Sequence, residues 1–151
     1  MRKQNWCKKY KKYNDILEFT GSVKLHGTHG DLVLTKTDNE IELCVQSRNR
    51  ILTIDSDNYG FAKFINNIPK DKFINFEFDH QVIISGEFCG GNIQSKVALT
   101  QLPIMFVIYS IKIDGKFINT KDININLPEH NVYSITRAPL YHCKIRLDEF
   151  Y

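Results

Sequence analysis

Residues 22–34 constrain this chain more than any other stretch. Two short β-like runs, Ser22-Val23 and Asp31-Leu32-Val33-Leu34, flank the heptad Lys24-Leu25-His26-Gly27-Thr28-His29-Gly30. The pattern predicts a strand ending on a lysine, a tight glycine turn, and a second strand. Glycine permits the sharp turn and lets a phosphate or sugar approach the backbone closely. A lysine so placed either stands in solvent on a β-hairpin or acts as a nucleophile. The second role needs a neutral amine. Its free pKa is about 10.4, so the site must lower it by desolvation or neighbouring cations. Thr28 and His26 carry groups able to hydrogen-bond phosphate or ribose oxygens.

Three later segments carry comparable chemistry. The alternation Glu40-Ile41-Glu42-Leu43-Cys44-Val45 predicts a strand. It leads into Gln46-Ser47-Arg48-Asn49-Arg50, where either guanidinium can grip a phosphate in bidentate fashion or both can decorate a solvated basic turn. Asp57-Asn58-Tyr59-Gly60-Phe61-Ala62-Lys63-Phe64 then leads into a helix. Gln81-Val82-Ile83-Ile84-Ser85 predicts a strand running into Gly86-Glu87-Phe88-Cys89-Gly90-Gly91. A carboxylate at such a strand end can accept both hydrogen bonds of a sugar diol, and Gly90-Gly91 suit a turn at positive φ. The same residues also read as an edge strand ending in a polar turn. Finally, Ile104-Met105-Phe106-Val107-Ile108-Tyr109-Ser110-Ile111 predicts a buried strand. Tyr109 either packs in the core or offers its face to a base, worth about 1–3 kcal/mol.

Taken in order, these segments resemble the motifs of the covalent nucleotidyltransferases: DNA ligases, RNA ligases and mRNA capping enzymes. With His26 third and Thr28 fifth in the lysine motif, the chain looks most like the double-strand-type RNA ligases, which include the RNA-editing ligases. DNA ligases and capping enzymes usually carry aspartate where His26 stands. The resemblance extends from Asp15 to the end of the chain. It implies that Lys24 takes AMP from ATP as a lysyl-AMP intermediate, with His26 serving the nucleic-acid steps. Val23, Lys24, Leu25, Arg48, Glu87 and Tyr109 would bind the nucleotide. Arg48 would meet a phosphate, Glu87 the ribose and Tyr109 the adenine. Gly27, Thr28, His29 and Arg50 would be secondary members of the site. Mg²⁺ would neutralise phosphate charge, with no ligand residue assigned. The implied partner is RNA with 5′-phosphate and 3′-hydroxyl ends, including a nicked duplex. The implied fold is α+β, a twisted and mostly antiparallel sheet with a few helices, like the ATP-grasp-like nucleotidyltransferases. A single domain would cover residues 1–151.

The chain also departs from the family pattern. His29 stands where the RNA ligases usually carry asparagine, and Ser110 follows Tyr109 where they carry aspartate. Glu129 is followed by His130 rather than glycine, and residues 139–150 resemble the short strand and helix that precede the last motifs. The expectation is therefore the first half to two thirds of an adenylation domain. The metal-binding Glu-Gly strand and the Lys-x-Lys strand would come from another chain or segment. An alternative is an impaired ligase remnant that binds a nucleotide or nucleic acid, and a third is an unrelated α+β protein.

Composition adds limits. A chain of 151 residues can build a real core. The four cysteines are scattered without a Cys-x-x-Cys pair, which argues against a zinc ribbon or disulfide framework and favours free thiols. His26-x-x-His29 lacks a third metal ligand. There is no apolar run of membrane length and no apolar signal core, which predicts an intracellular, cytoplasmic protein away from membranes. The net charge is only +3. However, Arg2, Lys3, Lys8, Lys9, Lys11 and Lys12 interleave with Trp6, Tyr10 and Tyr13, a pattern suited to a nucleic-acid backbone or to a solvated entry segment. Residues 119–131, rich in Asn and Asp, predict a surface connection.

Overall fold

The computed structural model describes residues 16–146. The basic, aromatic N-terminal cluster and the helix expected at the end of residues 139–150 lie outside them. In chain order come β1 (Ile16–Ser22), β2 (Gly27–Lys36), β3 (Ile41–Gln46), β4 (Ile51–Leu52) and the helix α1 (Phe61–Asn66). β5 (Gln81–Cys89), β6 (Met105–Ile113), β7 (Lys116–Phe117), β8 (Val132–Ser134) and β9 (Leu140–Arg146) follow. The described residues divide into two compact units, one of residues 16–24 with 138–146, the other of residues 25–137.

In the first unit β1 and β9 form an antiparallel ribbon, from Ile16 opposite Arg146 to Ser22 opposite Leu140. Thr20 Oγ1 meets His142 Nδ1 at 3.2 Å, and Lys144 pairs with Glu18 at 3.0 Å. That ion pair is solvent-exposed, so it adds little stability. Val23 and Lys24 follow β1 and are exposed.

The second unit is built on a sheet of strand order β4-β3-β2-β5-β6-β7, with β8 added in parallel beside β6. Every other pairing in it is antiparallel. This is the expected α+β architecture with few helices. The period-2 pattern of β2 and β5 decides which face is covered. Leu32, Leu34, Val82, Ile84 and Phe88 turn to one face and are buried there with Phe106, Ile108 and Ile111 of β6. Each such aliphatic or aromatic side chain contributes about 1.5–3 kcal/mol when fully buried.

α1 closes this face with Phe61, Ala62 and Ile65. The Phe61 ring lies 5.0 Å from both Phe88 and Phe106, centroid to centroid. Six residues are too few for a stable isolated helix. Besides this packing, Asp57 supports it: its Oδ1 accepts the N–H of Ala62 at 2.8 Å and its Oδ2 that of Lys63 at 3.0 Å. Room for the aromatic rings comes from a glycine pair in register, Gly30 opposite Gly86. A Cβ at Gly30 would run into the Phe61 ring, and one at Gly86 into the Phe106 ring and the Val107 carbonyl.

Two sequence expectations need correction. The tight glycine turn after Lys24 is absent. Residues 23–26 are irregular and Gly27 already belongs to β2, opposite Cys89. Nor do β1 and β2 form a hairpin, because β2 pairs with β3 and β5. Gly27 is needed for closeness, since a Cβ there would overlap the Phe88 carbonyl oxygen. Residues 119–131 are likewise more than a surface connection. They wind through two 3-10 turns, but Ile123 and Ile125 are buried in the core. By contrast, Gly90 and Gly91 do take positive φ, +90° and +52°.

At the far end of the sheet, Asp114 and Gly115 turn β6 into β7 with φ of 46° and 85°, the pairing that a tight hairpin favours. The Asp114 carboxylate accepts the N–H groups of Asp79, His80 and Gln81. These bonds, Asp79's foremost, hold its carboxyl below the ordinary range. Among the described residues no helix is long and apolar enough to cross a membrane.

Candidate functional site

The sheet face opposite α1 presents His29 and Asp31 from β2 and Ser85 and Glu87 from β5. His29 pairs directly with Glu87, and Asp31 with Ser85. The turn after β3 carries Ser47, Arg48, Asn49 and Arg50 to this same region. A cleft of about 580 Å³ opens here. Its walls are Gly27, Thr28 and His29 at the start of β2, Glu87, the Ser47-Arg48-Asn49-Arg50 turn, and Asn58.

Gly27 is fixed from two sides. Its N–H donates to Glu87 Oε1 at 2.9 Å, and its carbonyl accepts from Gln94 at 3.1 Å. Glu87 thus spends one lone pair on the backbone and keeps the rest of its acceptor capacity. Thr28 Oγ1 accepts from Asn58 Nδ2 at 3.0 Å, which leaves its hydroxyl hydrogen available.

The two arginines separate clearly. Arg50 donates to the Ser56 carbonyl at 2.6 Å, the Ser56 hydroxyl at 2.9 Å and the Asp57 carbonyl at 2.7 Å. Its guanidinium therefore holds the loop that leads to α1. Arg48 is exposed and donates to no group among the described residues. Of the two forks, Arg48 is the one left for a ligand.

Tyr109 reaches this face through an irregularity. Ser85 pairs with Ser110 and Gly86 with Ile108, so Tyr109 is an extra residue in β6. Such a bulge breaks the alternation and re-aims a side chain. It lets Ile108 and Ile111, three residues apart, both stay fully buried, while Tyr109 swings to the opposite face. Its hydroxyl lies 2.6 Å from His29 Nδ1, and His29 Nε2 lies 2.9 Å from Asp31 Oδ2. Ser85 donates to Asp31 Oδ1 at 2.6 Å. Burial pushes the Tyr109 phenol pKa up. The Glu87 and Asp31 carboxylates add to this, and the Arg48 guanidinium opposes it. Burial, with Glu87, raises the Cys89 thiol to about 11.

The structure thus brings Gly27, Thr28, His29, Arg48, Arg50 and Glu87 to one cleft, with Tyr109 joined to it through His29. Leu25 is half-buried and His26 exposed, and neither lines the cleft. Val23 and Lys24 belong to the other compact unit. Sequence reasoning missed Asp31, Ser85 and Asn58. For the first two a signal existed: each adjoins an apolar run, Asp31 before Leu32-Val33-Leu34 and Ser85 after Val82-Ile83-Ile84. Among the described residues no group of three or more His, Cys, Asp or Glu side chains is placed to hold a metal ion.

A family model described as RNA ligase matches residues 17–146, a span that contains all four motif segments. The chain belongs to the RNA ligase family. No curated protein matches it. Membership gives this RNA ligase family chain a ligase-type function with RNA as the implied substrate. The cleft lies inside the matched span.

Proposed function

We propose that the chain is an ATP-dependent RNA ligase-type nucleotidyltransferase in which Lys24 carries the adenylate. The observation that carries this reading is the meeting of an unengaged Arg48 guanidinium and the Glu87 carboxylate in one cleft. That cleft begins at Gly27, three residues along the chain from Lys24. The cleft volume falls in the range of small-molecule sites, roughly 300–1,000 Å³.

In this reading a neutral Lys24 Nζ gives its lone pair to the α-phosphorus of ATP. The new N–P bond replaces the bond to the oxygen bridging to the β-phosphate. Pyrophosphate leaves with that electron pair, and the excess proton on nitrogen passes to solvent. A 5′-phosphate oxygen of RNA then displaces the lysine, which regains a proton. A 3′-hydroxyl attacks the activated 5′-phosphorus, loses its proton to solvent, and AMP departs. Arg48 balances phosphate charge as a bidentate donor, and Glu87 accepts from the ribose hydroxyls. Tyr109 offers its ring to the base from the same sheet face as Glu87. His26 serves the RNA steps. Mg²⁺ would neutralise phosphate charge, with no ligand residue assigned to it in this chain.

The test is self-adenylylation. The chain is incubated with α-labelled ATP and magnesium and run on a denaturing gel beside Lys24→Ala. The expected result is an acid-labile label on the native chain and none on the variant. Equal labelling of both, or no label on the native chain, overturns the reading.

A further inference from the structure

We infer that His29 is a positioning residue of the nucleotide site, holding the Tyr109 ring at a fixed angle on the sheet face; this rests on the nucleotide reading above. A tyrosine ring on an open sheet face can rotate about two side-chain bonds. Here its hydroxyl is tied to His29 Nδ1 at 2.6 Å, with the two rings 6.2 Å apart and inclined at 45°. The imidazole is itself braced, because Nε2 is held by Asp31 at 2.9 Å, and Asp31 by Ser85 at 2.6 Å. Every member stands on β2, β5 or β6, whose registers fix the spacing. His29 and Asp31 are each about one-fifth exposed, at 20% and 19% of the side chain.

Chemistry assigns the protons. With a carboxylate at Nε2, the neutral imidazole carries its hydrogen there, and Nδ1 accepts from the phenol. Both ring nitrogens are then occupied, so His29 has no polar atom left for a ligand. It acts through Tyr109. Holding the ring before the nucleotide arrives removes an ordering cost from binding.

The experiment measures ATP affinity, with magnesium, for the full chain and for His29→Ala, Tyr109→Phe and the double variant. Each single change is expected to weaken binding about fivefold, the worth of one net hydrogen bond. The double variant should be no weaker than either single, since both remove the same clamp. Two amides separate positioning from general polarity. His29→Asn places an oxygen where Nδ1 stood and should recover most of the lost affinity. His29→Gln reaches toward the Nε2 position and should stay as weak as His29→Ala. ATP binding that is unaffected by the single changes, or lost additively in the double, overturns this inference alone. Failure of the native chain to bind ATP overturns it together with the nucleotide reading.

Discussion

Replacing Glu87 probes the cleft most directly, because the carboxylate has two separable duties. Oε1 accepts the Gly27 N–H at 2.9 Å, and the remaining lone pairs are assigned to the ribose. Glu87→Gln keeps the shape and one acceptor oxygen for Gly27, but loses the charge and half the acceptor set. A hydrogen bond to a charged group is worth about 1.5–3 kcal/mol, so ATP should bind about 10- to 150-fold more weakly. Glu87→Ala also leaves the half-buried Gly27 N–H without its acceptor. That adds about 1 kcal/mol of destabilisation, the low end for an orphaned donor, or a drop in Tm of about 2–4 °C for a chain of this size. A third readout needs no ligand. The Glu87 charge is one of the causes holding the Tyr109 phenol above its ordinary value. Neutralising it should bring that pKa down, with burial keeping it from returning fully. Calorimetric ATP titration, thermal melts and phenolate absorbance of the two proteins measure the three effects. Wild-type ATP affinity in Glu87→Gln would refute the ribose assignment. An unshifted phenol titration would refute the placement of Tyr109 beside Glu87.

Gly30→Ala drives a methyl group into the Phe61 ring, which is boxed in by Phe88 and Phe106. Overpacking of this kind costs about 1–3 kcal/mol. Tm should therefore fall by about 2–12 °C and rise again in part when Phe61→Leu is added; a melt identical to wild type would show that the ring has room to yield. Asp114 gives a pH signature. Its folded carboxyl is held below the ordinary range by backbone N–H groups, so the unfolded chain binds the proton more readily. The stabilisation is complete above about pH 4 and is lost as pH falls through the folded value. Asp114→Asn should flatten the acid limb of a Tm–pH curve, and an unchanged limb would remove Asp114 from the causes of acid unfolding.

The strands were legible where alternation or an apolar run announced them, as in Glu40-Ile41-Glu42-Leu43-Cys44-Val45 and Gln81-Val82-Ile83-Ile84-Ser85. That Glu87 and Arg48 were singled out together owes to the extended pattern of neighbours around each, and the two line one cleft. Gly27 and Gly30 were misread as turn residues. Their reason is tertiary: a carbonyl and a ring, 61 and 31 positions along the chain respectively, need the space. Motif order favoured Arg48 over Arg50, but what occupies Arg50 was not legible: it depends on how the loop to α1 folds back onto that guanidinium. The contact of His29 with Tyr109 was hidden because Tyr109 is an unpaired residue in its strand, and a bulge leaves little trace in an apolar run. Ile123 and Ile125 sit among Asn and Asp, and only packing reveals that they belong to the core.

Gly30 stands between His29 and Asp31, and its bare Cα is all that separates the Phe61 ring from the polar face. At this point β2 carries the apolar core on one face and the His29–Asp31 pair on the other. Nothing cushions one from the other. A substitution that pushes Phe61 against Gly30 is therefore felt by the two residues flanking the glycine, His29 and Asp31, as well as by the core. An engineer hardening this protein would do better to work on the β7 end of the sheet, leaving the three aromatic rings beneath the cleft as they are.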